Sequence, residues 1–159
     1  MSIVSSDSIS KAIDKVDGLS EDALDKLIET FATKQETLLN YVMQAGVEYE
    51  NEELNAFSIY YFAIILEAFF QEGVDLNEVS DKTIEEFQEG FVYALEEINK
   101  NEDNSALFEL VNQNNIMEFM FNEIEAVDED GEALDDETKT QLFIVTSGMI
   151  GLLSAVIKK

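Results

Sequence analysis

Apolar residues recur at helical spacing along nearly the whole chain. Ile9, Ala12, Ile13 and Val16 stand at i, i+3, i+4 and i+7, the stripe of a short amphipathic helix over residues 8–17 that Asp17 and Gly18 stop. Ser20 is placed as the next N-cap, with Glu21 and Asp22 in a first turn where the helix dipole favours negative charge, and with Leu19 and Leu24 as a hydrophobic staple. The helix that follows would bury Leu24, Leu27, Ile28, Phe31, Leu38, Leu39 and Val42 and end at Gly46.

A polar stretch over residues 48–53 separates it from a long helix, Leu54 to Gln71, closed by Gly73. Apolar residues go almost all round that helix, leaving a narrow stripe of Glu53, Tyr60, Glu67 and Gln71, so it belongs in the middle of a bundle. Ser80 opens a third long helix, with Ile84, Phe87, Phe91, Leu95 and Ile98 facing the core and Glu85, Glu86, Glu89, Glu96 and Glu97 facing water. The next helical stretch, Ser105 to Ala126, is interrupted by the weak helix formers Asn112 to Asn115, which mark a kink or break. An acidic loop over 126–135, with Gly131 in its middle, leads into a last helix from Asp136 to Ile157. With no proline to break helices, the pattern predicts an all-α chain: one compact domain over 1–159, a bundle of five to six helices in which Leu54–Gln71 and Leu142–Ile157 are the most buried.

Composition then narrows the chemistry. The 159 residues hold 35 carboxylates against nine lysines, with no arginine, histidine or cysteine, for a formal net charge of -26. Disulfides, thiolate chemistry, zinc fingers and iron–sulfur clusters fall away together, and so does any imidazole base. Eleven Phe and five Tyr supply the bulk of a folded core, far more than an acidic disordered segment carries. A field of this sign repels phosphate backbones and anionic lipid heads, so no nucleic-acid partner is expected, and basic proteins, cationic peptides or divalent cations are what it attracts. The first residues, Met1 to Asp7, show neither a basic leader nor an apolar run, and the expectation is a cytoplasmic protein. Lysine to the exclusion of arginine, with abundant Ile, Asn and Phe, is the usage of an AT-rich bacterial genome.

Four constellations bear on chemistry. Asp128, Asp130, Gly131 and Glu137 fall on positions 3, 5, 6 and 12 of a calcium-binding helix–loop–helix frame, but Ala126 stands where the first aspartate ligand is needed, so weak divalent-cation binding at Asp128, Asp130 and Glu137 is the most that is expected. A two-metal carboxylate site would need histidines the chain lacks, and neither a metal site nor a cofactor is expected. Glu67 is the acid inside the most apolar run, and its alignment with Glu53, Tyr60 and Gln71 puts it at a half-exposed surface position. Thr140 to Ile157 is uncharged and carries Ser147, Gly151 and Ala155 at a spacing of four, at the lower edge of what spans a bilayer. Against a tail anchor at 140–157, its hydroxyls and two glycines favour a bundle role in which Gly148 and Gly151 let the Phe-rich helix 54–71 pack closely, or let two copies pair as a homodimer.

The expectation is therefore a non-catalytic acidic interaction module that docks a basic protein partner, as inhibitors, immunity proteins and nucleic-acid mimics do by charge and size. A structural or oligomeric helical domain and an apolar small-molecule binder are the alternatives, and an enzyme ranks last. The partner-binding residues expected are Asp128, Glu129, Asp130, Asp135 and Asp136 of the acidic loop, then Glu85, Glu86 and Glu89.

Overall fold

Ser5, Ser20 and Ser80 each begin a helix. In the computed structural model, which describes residues 4–50, 52–125 and 136–158, their side-chain oxygens accept hydrogen bonds from the backbone N–H groups of Ser8, Ala23 and Thr83, satisfying donors that a helix start leaves orphaned. Among the described residues the chain forms eight helices: α1 (Ser6–Asp17), α2 (Glu21–Lys34), α3 (Glu36–Glu48), α4 (Glu52–Gln71), α5 (Asp81–Asn101), α6 (Ser105–Val111), α7 (Asn114–Glu125) and α8 (Asp136–Ala155). The all-α expectation holds; among those residues the only extended pairing is a single antiparallel bridge between Leu76 and Ile157.

Eight helices replace the expected five to six because two side chains stop helices to reach distant backbone. Gln35 separates α2 from α3 where one continuous helix was expected. Its backbone leaves the helical region (φ -133°, ψ 53°), and its buried amide donates from Nε2 to the Asn77 carbonyl and accepts at Oε1 from the Val79 N–H, both at 2.9 Å. The expected break near residue 112 is real. Asn112 ends α6 in the left-handed conformation that asparagine tolerates, and buried Gln113 accepts from the Val4 N–H at 3.1 Å while its Nε2 donates to Ser154 Oγ at 3.3 Å. Asn115 adds a bond from its side-chain nitrogen to the Val4 carbonyl.

α4 is the central element. Every residue from Tyr61 to Phe69 is buried, and the helix packs on α1, α2, α3 and α8. The second buried helix is α8, continuous from Val145 to Leu153, so both helices expected to be most buried are deep in the bundle. Among the described residues α4, and not α8, is long and apolar enough to cross a membrane by length and composition, and most of that stretch is packed inside.

Two expectations about buried positions are corrected. Glu67 is not half-exposed but 1 % accessible, since α1 lies across α4 and Lys15 reaches its carboxylate at 2.9 Å. The glycines of α8 do not make room for α4. A β-carbon at residue 148 would meet the Tyr41 hydroxyl of α3 and the Phe91 ring of α5, and one at residue 151 would meet Phe87 of α5. The spacing of four between small residues is likewise not a free face: Ser147 and Gly151 are buried and Ala155 is exposed.

Candidate interaction surface

α5 turns Phe87, Phe91 and Ala94 into the core, and the positions beside that stripe line a trench between α5 and α8. Three adjoining cavities make it up. One of about 290 Å³ lies between Tyr41 and Tyr49 at the α3 end and Phe91, Leu95 and Ile144. A middle one of about 610 Å³ shares Leu95 and Ile144 with it and adds Val92, Asn99 and Phe143. A third of about 250 Å³, under Phe121 and Ile124 of α7, shares Ile98, Thr140 and Phe143 with the middle one. From Gln88 to Glu102 the α5 wall runs about 20 Å at ~1.5 Å per residue.

Large apolar side chains that the core does not use stand along this trench. Tyr49 is 39 % exposed, Val92 44 % and Phe121 50 %, one in each of the three cavities. Surface apolar residues scattered singly are ordinary, and what sets these three apart is that they line successive cavities of one trench. Phe121 also meets Phe143 edge to face at 6.4 Å between ring centres, which holds it over the trench end.

Carboxylates line the trench at Glu48, Glu96 and Glu102, and others lie beside it. At about 3.6 residues per turn, Glu85, Glu89 and Glu96 fall in one row along the α5 flank, together with Val92, and all three are exposed. Glu86, the other glutamate expected in partner binding, points round to the far side of α5 and meets Lys82 at 4.0 Å. On the opposite bank, Glu137, Thr140 and Ile144 succeed one another at i, i+3 and i+7 of α8, with Glu137 exposed. Glu48 lines the α3 end and Glu102 the α7 end, where Lys139 is the cation among the lining residues. Burial pushes the Tyr41 phenol up to about 12, with Tyr49 and Glu48 adding to the effect, so at neutral pH it offers a neutral hydroxyl and no further charge.

Of the acidic-loop residues expected to bind a partner, Asp128, Glu129, Asp130 and Asp135 lie outside the described residues, as does most of the calcium-type frame, and Asp136 is described only as the first residue of α8. Among the described residues no cluster of three or more carboxylates is disposed to hold a metal ion. The sequence reading missed the apolar half of this surface. Its signal was Val92, a large apolar residue standing outside the core stripe of a helix whose other outward positions are mostly glutamate.

A further cavity of about 380 Å³ lies between α2 and α4 under Phe31, Leu66, Phe70 and Val74, with both Lys34 and Asp75 in its lining. The α5–α8 trench differs in its balance of charge, with Glu48, Glu96 and Glu102 lining it against Lys139. No protein-family model, curated protein or solved structure matches the chain.

Proposed function

We propose that this protein is a non-catalytic interaction module that docks a basic partner protein on its α5–α8 face. The observation that carries the reading is the coincidence of exposed apolar side chains (Val92, Phe121, Tyr49) with carboxylates that line the same trench (Glu48, Glu96, Glu102), Glu85 and Glu89 following on the α5 flank and Glu137 one turn before Thr140. Apolar contact at the centre supplies affinity, and the surrounding charge steers encounter and selects the sign of the partner. Between residues 48 and 144 the lysines are Lys82, Lys100 and Lys139, and of these Lys139 lines the trench, so this part of the chain has little cation with which to neutralise its own carboxylates. Non-catalysis is supported by the absence of histidine, cysteine and arginine. A second copy of this chain is disfavoured as the occupant, because each would bring a net charge of -26 and a matching row of glutamates to the other.

The test is retention of basic proteins from a native lysate on the immobilised chain at about 50 mM salt, beside the triple variant Glu85→Lys, Glu89→Lys, Glu96→Lys. The expected result is a set of basic proteins held by the native chain, released at about 300 mM salt and not held by the variant, which keeps its helical circular dichroism. Equal retention by the two chains overturns the reading.

A further inference from the structure

The shape of the trench says more about its occupant than its charge does. Two helices form its long walls, α5 and the first half of α8, and among the described residues there is no sheet edge on which an extended peptide could add a strand. Its apolar floor is elongated: Leu95, Ile144 and Phe143 continue one another, and Tyr49 and Phe121 stand towards opposite ends. Over about 20 Å a helical ligand makes about four turns and presents one apolar stripe, anchored at i, i+3 or i+4, i+7 and i+11. One side of such a helix would lie against Glu96 and Glu102 of the α5 bank, and its ends near Glu48 at α3 and Lys139 with Glu137 at the start of α8. That arrangement is complementary to lysine or arginine flanking the apolar stripe, and unfavourable to acidic flanks.

We infer that the α5–α8 trench is a receptor for a cationic amphipathic helix, apolar along one face and basic along the flank that faces α5. This rests on the proposed docking of a basic partner and adds the partner's secondary structure and its seat. The inference requires that helical patterning, and not positive charge alone, decide binding.

Fluorescence anisotropy with three labelled synthetic peptides of equal length tests it: a leucine–lysine peptide patterned at helical period, the same composition patterned at strand period, and an all-lysine peptide. The helical pattern is expected to bind at least about tenfold more tightly than the other two at about 100 mM salt and to gain helical dichroism on binding. Val92→Ser with Phe121→Ser, both exposed positions, is expected to remove that advantage while leaving the weak all-lysine binding in place. Glu85→Gln with Glu89→Gln and Glu96→Gln is expected to weaken all three peptides. If the three native affinities are alike, the helix receptor is overturned while a charge-driven docking surface stands. Failure of all three to bind removes both readings. A native dimer on size exclusion that Val92→Ser with Phe121→Ser dissolves would show a second copy in the trench and would likewise overturn the inference.

Discussion

A β-carbon on residue 151 would lie 2.4 Å from Cζ of Phe87 and 2.6 Å from its Cε2, inside any real carbon contact, and Val111 closes the other side at 3.4 Å. Gly151 is therefore an approach distance: it lets an aromatic ring of α5 lie against the backbone of α8. Alanine there gains about 1 kcal/mol in helix propensity and loses about 1–3 kcal/mol to overpacking, so Gly151→Ala is expected to destabilise the protein by up to about 2 kcal/mol in urea unfolding. Gly90 is the contrasting case on α5, since its added methyl would touch Leu110 at an ordinary 3.4 Å. Gly90→Ala is expected to stabilise the protein by up to about 1 kcal/mol in the same measurement. An equal response at the two positions would mean that the Phe87 ring moves aside freely. The glycines of α8 were legible as points of close approach, but not the elements that approach, because spacing along one helix carries no information about its neighbours. Glu67 failed the same way. Its stripe on α4 reads as surface until α1, supplied by residues some fifty positions earlier, brings Lys15 onto it.

The helices that open after Ser20 and Ser80 were legible at their starts, where the capping serines signal locally, whereas Ser5 and the junctions were not. Gln35 looks like one more polar residue in a helix, and what makes it a break is a loop 42 residues away whose backbone it satisfies. Glu72, just past the end of α4, does comparable work for α1. Its carboxylate accepts from the hydroxyl of Ser8 and from the N–H and hydroxyl of Ser5, the residue that caps α1. Those bonds, the Ser8 hydroxyl foremost and then Ser5, hold its pKa below the ordinary glutamate value of 4.5, with Lys11 adding a smaller effect in the same direction. A depressed carboxylate contributes stability above its unfolded pKa and loses it as pH falls through the folded one. Glu72→Gln is therefore expected to melt lower than the native chain at pH 7 and to converge with it as pH falls through the lowered pKa of Glu72. A gap in melting temperature that stays constant from neutral pH to the acid limit would show the loss to be steric and not ionic.

For the molecule as a whole, charge is the property most legible in the sequence and least resolved by it in space. Counting residues yields -26; the fold is what brings Glu48, Glu96 and Glu102 into one trench beside Val92 while turning Glu86 to Lys82. Such a surplus acts on two equilibria in opposite senses. Within the chain, like charges held close repel, and unfolding separates them, so screening should stabilise the native state. Between the chain and a cationic partner, the same screening removes attraction. The melting temperature is thus expected to rise by about 5 °C from about 20 mM to about 500 mM sodium chloride. Affinity for a cationic peptide should fall steadily over the same range. Chloride is the right anion for the measurement, because sulfate would also strengthen apolar burial by exclusion and confuse the two causes. A melting temperature indifferent to chloride would mean that the carboxylates are spread widely enough not to repel one another. The trench would then have no concentrated negative field to offer, and its apolar lining alone would have to select the partner.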